Sequence, residues 1–176
     1  MDVRRLDLGP ARYDWAFVGL HALAELASEG DLLQALRRVA TCLTDGGVFS
    51  CSLHNPVVRA RGAHRGGYTA LDGRWHDLEP VQLPKSGGRL EWRGRYRYEP
   101  DSGMVSGEQV YRELDDAGRE VAQVEQPVRF RLFTAAEIEE AAERCGFELV
   151  SRLGNYDRSP CEPTSSPFLI YELRKR

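Results

Sequence analysis

Residues 13–56 constrain the fold more than any other stretch. Two short, nearly unbroken apolar runs, Tyr13-Asp14-Trp15-Ala16-Phe17-Val18 and Val48-Phe49-Ser50-Cys51-Ser52-Leu53, flank a segment of helical period. Apolar runs of this length are how strands covered on both faces look. Between them Leu32, Leu33, Leu36, Val39, Ala40 and Leu43 recur at steps of three and four, while Gln34, Arg37, Arg38 and Thr41 fall away from that stripe. Ser28 with Asp31 three residues on is a capping-box-like start, and Gly46-Gly47 are expected to stop the helix in the left-handed conformation. The spacing predicts a parallel strand–helix–strand unit.

In an open α/β sheet, side chains and free backbone groups converge beyond the carboxyl ends of the strands, and ligands bind there. Those ends are Gly19-Leu20-His21 and His54-Asn55-Pro56. Both loops leave the same edge of the sheet, so two histidines and an asparagine are expected near one crevice. That fixes a location, not a reaction: a loop histidine serves either as a proton carrier or as a hydrogen-bonded structural residue. The first strand follows a polar segment, Asp2 to Arg12, which turns at Gly9-Pro10, so its outer edge is expected to be covered by later strands, by a partner, or by a piece of the domain absent from this chain.

A length of 176 residues suits one domain with a real core, and 41% apolar content excludes a disordered chain. The net charge of −3 gives no pull towards nucleic acid or anionic lipid. No apolar run is long enough to span a bilayer, and Met1 to Arg5 lead into no signal core. The 4 cysteines form no CxxC pair and, with the histidines, no zinc spacing, so a reducing cytoplasm and no metal are expected.

Residues 57–88, punctuated by glycine and proline, read as one long irregular loop containing His64 and His76, both polar loop residues before they are substrate contacts. From Arg89 to Phe133 the period changes to two. Leu90, Trp92, Tyr96 and Tyr98 alternate with Arg93, Arg95, Arg97 and Glu99, turns fall at 100–103 and 115–118, and an antiparallel meander is predicted. Pro127 marks its third strand as an edge or a bulge. The arginine row carries interleaved glutamates, the pattern of a solvated face. Thr134-Ala135-Ala136-Glu137 is a capping box opening a helix that ends at Gly146. Strands follow at Phe147 to Leu153 and Phe168 to Leu173, separated by a Ser/Pro-rich loop.

In this order, several of these stretches together resemble the class I S-adenosylmethionine-dependent methyltransferases. They are Tyr13-Asp14-Trp15-Ala16-Phe17-Val18, Leu43-Thr44-Asp45-Gly46-Gly47, Phe133-Thr134-Ala135-Ala136-Glu137-Ile138, Ala142-Glu143-Arg144-Cys145-Gly146-Phe147 and the Gly154-Asn155-Tyr156-Asp157 tail. The resemblance implies an α/β fold: the C-terminal half of a Rossmann-like methyltransferase sheet with an inserted antiparallel β-meander. It divides the chain into residues 1–56 (half of the cofactor core), 57–133 (loop and meander on the substrate side) and 134–176 (closing helix and strands). The family's glycine-rich cofactor turn is not matched.

What the resemblance implies for chemistry is methyl transfer from S-adenosylmethionine to a small-molecule acceptor. Asp2 matches the acidic residue offered to the adenine amine, and Val18, Gly19 and Leu23 match positions lining the sulfonium side. His21 and His54 stand as candidates for base or acceptor orienter, with Asn55 and Tyr156 as substrate contacts. The alternative is a truncated, non-catalytic relative whose exposed strand, residues 13–18, pairs with itself or with an N-terminal-half partner. No nucleic acid or membrane partner is expected.

Overall fold

The computed structural model describes residues 2–61 and 70–176; His64 lies outside them. The chain divides into two compact units, one made of residues 1–59 and 131–176 and the other of residues 60–130.

The first unit is built on a four-stranded sheet in the order β1-β2-β9-β8, with β1 Tyr13–Val18, β2 Leu43–His54, β8 Phe147–Leu153 and β9 Phe168–Lys175. β1 and β2 are parallel neighbours, with Trp15 beside Val48 and Phe17 beside Ser50. β9 runs antiparallel to both β2 and β8. The crossover from β1 is α1, Glu29–Cys42, whose Ser28 cap accepts from the Asp31 amide. α1 ends differently from the sequence expectation. Its C-cap is Leu43, already extended, and the left-handed Gly46 falls inside β2, where it turns the strand rather than stopping the helix.

Alternation in β2 and β9 sorts the sheet into two faces. Phe49, Cys51 and Leu53 lie opposite Leu173, Tyr171 and Leu169 and are buried with Leu32, Leu36 and Val39 of α1. α3, Ala135–Arg144, adds Ile138, Ala141 and Ala142 to the same core. It begins with the expected capping box between Thr134 and Glu137, and Gly146 follows its end at φ +83°. The opposite face carries Val48, Ser50, Ser52 and His54 of β2 beside Trp15 and Phe17. Burial holds the Cys51 thiol up at about 12 and raises Tyr171, so both stay protonated in the core.

The second unit is the antiparallel meander β5 Arg89–Glu99, β6 Met104–Leu114 and β7 Glu120–Arg131, with β7 at the edge as Pro127 requires. The stretch expected to be one irregular loop contains more order. A short helix α2, Pro56–Ala60, follows β2, and two-residue strands β3, His76–Asp77, and β4, Val81–Gln82, both pair with β5. Two-residue strands have no period to read, so the sequence carried no sign of them. Of the arginine row, Arg95 pairs with Glu108, and Arg93 and Arg95 lie over the Trp75 ring; beside it Arg89 and Arg112 share Glu91. His76 is held by Asp72 at 2.8 Å.

Candidate active site

β1 ends at Val18, and the chain then makes an unusual turn. Leu20 and His21, neither of them glycine, lie consecutively at φ +52° and +60°. Left-handed backbone at such residues costs on the order of 1–3 kcal/mol each and persists where the surroundings enforce it. Here a 3-10 turn, Ala22–Glu25, follows at once, and its Leu23 and Ala24 are sunk in the core, so the turn is anchored from beneath. The result is that the His21 side chain is directed to the carboxyl end of β2.

There it meets His54, the last residue of that strand. The two imidazoles stack with centroids 3.9 Å apart and planes inclined by 28°. Phe168, opposite His54 in the β2–β9 register, lies 5.2 Å from the His21 ring and 6.0 Å from that of His54. His54 is 7% exposed, whereas His21 is half-buried, and the Nδ1 atom of each ring is buried. His21 is therefore the more accessible of the two rings.

Tyr156 closes one side. Its ring is 5.2 Å from Phe168 and its hydroxyl donates to Ser52 Oγ at 3.1 Å, while most of the residue remains exposed. Of the two histidines and the asparagine expected near one crevice, the structure stacks the two histidines together, with Tyr156 reaching the same Phe168 ring. Phe168, which joins all three, was not singled out by sequence; only the register of the closing antiparallel pair brings it there.

Asn55 sits beside this cluster but faces inward. It is 2% exposed; its amide donates to the Pro163 and Ser166 carbonyls at 3.0 and 2.9 Å, and its Oδ1 accepts from the Val57 amide. Its polar atoms fasten residues 163–166 against the end of β2, so the geometry gives it a positioning role. Gly154 belongs to the same clasp, because a Cβ there would lie 2.2 Å from Ser166 Oγ.

The residues matched to the cofactor are placed unequally. Val18 and Gly19 sit at the open end of β1, and a Cβ at Gly19 would meet only Phe17, at 3.9 Å, so the space above that backbone is clear. Leu23 supports the loop from the core rather than lining it. Asp2 caps the 3-10 turn Val3–Arg5, and both its oxygens accept from the Arg4 guanidinium, which also reaches Asp31 at 2.7 Å. The Arg4 hydrogen bonds hold the Asp2 carboxyl at about 2. Among the described residues no group of three or more His, Cys, Asp or Glu is placed to hold a metal ion, and no helix is long and apolar enough to cross a membrane.

No family model and no curated protein matches the sequence. Solved structures do. A methyltransferase dependent on S-adenosylmethionine from Clostridium acetobutylicum superposes with a TM-score of 0.80 at 14% identity, covering 99% of this chain and 63% of its own. The CcbJ methyltransferase of Streptomyces caelestis gives 0.74 at 22% identity, covering 99% and 62%. CalS10 of Micromonospora echinaspora, an amino pentose methyltransferase solved with S-adenosylmethionine bound, gives 0.68 at 17%, covering 100% and 63%. This chain thus spans less than two thirds of the length of these neighbours. Its fold is the Rossmann-like fold of the class I S-adenosylmethionine-dependent methyltransferases.

Proposed function

We propose that this chain carries the acceptor side of methyl transfer from S-adenosylmethionine to a small molecule. The observation that supports this most is the stacked His21–His54 pair at the carboxyl end of two parallel strands in a methyltransferase fold. S-adenosylmethionine, when bound, supplies an electrophilic methyl group on a sulfonium. Val18 and the clear backbone at Gly19 suit that side of it, and the part-exposed Asp2 carboxylate suits the adenine amine. A hydroxyl or amine acceptor attacks the methyl carbon in line as the carbon–sulfur bond breaks, and its proton passes to the His21 imidazole. His54 holds that ring in place by stacking, Phe168 supports both, and Tyr156 offers an exposed edge to the acceptor. The 4 free cysteines fit a reducing cytoplasm.

The test is calorimetric titration with S-adenosylhomocysteine. It is run on the 176-residue chain and on that chain fused behind the N-terminal portion of the Streptomyces caelestis methyltransferase. The fusion is expected to bind with a dissociation constant on the order of micromolar, weakened at least tenfold by Gly19→Val. A folded fusion that takes up no ligand would sink the reading.

A second reading, assembly through the edge of β1, is favoured by a separate observation: Trp15 and Phe17 are 58% and 65% exposed on a strand that lies at the edge of the sheet formed by the described residues.

A further inference from the structure

A chain of hydrogen bonds runs from the first turn of α1 to Asp2. Ser28, the cap of that helix, donates its hydroxyl to Asp31 Oδ2 at 2.8 Å. Asp31 Oδ1 accepts from one arm of the Arg4 guanidinium at 2.7 Å. The rest of that group grips Asp2: Nε lies 3.0 and 3.1 Å from the two carboxylate oxygens, and the other arm reaches Oδ2 at 2.8 Å. The Arg4 backbone amide adds a fourth contact, to Asp2 Oδ1 at 3.0 Å. One planar, permanently charged fork thus joins two carboxylates from different elements, a geometry that a single ammonium does not reproduce.

α1 is the crossover from β1 to β2, so it runs against both strands and starts at their carboxyl ends. Its first turn therefore lies at the sheet edge that Val18 and Gly19 occupy, and the tie through Arg4 fastens Asp2 to that turn. A carboxylate offers about four lone-pair sites. Three N–H groups of Arg4 face those of Asp2, and among the described residues no other donor reaches it, which leaves a site open to a ligand.

We propose that Arg4 is a positioning residue for the cofactor's base: by fixing Asp2 against α1, it makes the site select a 6-aminopurine over a 6-oxopurine. This deepens, and rests on, the methyl-transfer reading. The open site on Asp2 accepts from the amine of adenine. Opposite a 6-oxo group the same carboxylate would oppose acceptor to acceptor, with neither able to donate. Rejection of that kind needs a partner that cannot move. A carboxylate free to rotate turns away from the oxo group and escapes the repulsion, while it also loses entropy each time it meets the amine.

The test is calorimetric titration of the fusion protein described above with S-adenosylhomocysteine and with S-inosylhomocysteine, whose base is hypoxanthine. The wild-type sequence is expected to favour the adenine compound by roughly tenfold or more, and Arg4→Met to remove most of that preference. Asp31→Ala, which cuts the anchor without touching Asp2, is expected to reduce it in the same direction, and Arg4→Lys is not expected to restore it. Melting curves establish that each variant is folded at the temperature of the titration. An Arg4 that merely supports the fold would weaken both compounds alike. Variants that keep the wild-type ratio of the two affinities, or a wild-type sequence without a preference, overturn the proposal and leave the methyl-transfer reading standing. Uptake of neither compound by the folded wild-type fusion removes both.

Discussion

The rings of His21 and His54 lie 3.9 Å apart, one borne by a left-handed loop residue and the other by the last residue of the neighbouring strand. Rings stacked this closely shift one another's proton resonances, so His21→Ala is expected to move the ring signals of His54 and Phe168 in an NMR spectrum. Ring signals left where they were in the wild-type chain would mean that the stacked arrangement is absent in solution.

Leu20 is 91% exposed yet holds φ +52°. It contributes little packing, so its substitution reports almost entirely on the backbone. Leu20→Gly is expected to stabilise the chain by about 0.5–1 kcal/mol, and Leu20→Val, branched at Cβ, to destabilise it by a similar amount. Thermal melts of the two variants check both signs. A loss of stability in the glycine variant would mean that the turn is not strained.

The parallel unit, the meander and the helices α1 and α3 were legible because each has a pattern: unbroken apolar runs for β1 and β2, alternation for β5, and three- and four-step stripes for α1 and α3. The meeting of His21 and His54 at one end followed from strand direction alone, whereas Tyr156 was reached only through the family resemblance. Asn55 shows where that reasoning stops. Its place at a strand end was readable, but the carbonyls of Pro163 and Ser166 that claim its amide lie more than a hundred residues away, and no local pattern encodes such a contact. Asp2 is similar. Its partner Arg4 is two residues on, but the tie from Arg4 to Asp31 depends on how the segment lies against α1.

That tie carries a pH dependence. Hydrogen bonds from Arg4 hold Asp2 at about 2 against an ordinary 3.8, and Arg4 with Ser28 keeps Asp31 below its ordinary value. A carboxyl depressed on folding stabilises the chain above its unfolded pKa and loses that contribution as pH falls through the folded value. Arg4→Met is therefore expected to lower the melting temperature at pH 6, with the wild-type and variant curves converging as pH falls from 3.8 towards 2. A gap between them that is constant with pH would show that Arg4 acts by packing alone.

Asn55 gives the sharpest test of how the site is held. Its side chain makes three hydrogen bonds in a buried setting, two of them to carbonyls of the loop that leads into Phe168. Asn55→Ala removes both donors and leaves those carbonyls unpaired, at a cost of roughly 2–4 kcal/mol in chemical denaturation. Asn55→Asp retains the acceptor for the Val57 amide but supplies no donor, so it is expected to fall close to the alanine variant rather than to the wild type. In both variants limited proteolysis should cut first between Asn155 and Pro167, and fluorescence of Tyr156 should report a loosened contact with Phe168. If Asn55→Asp were instead as stable as wild type, with the loop still protected, the amide would not be what fastens the loop.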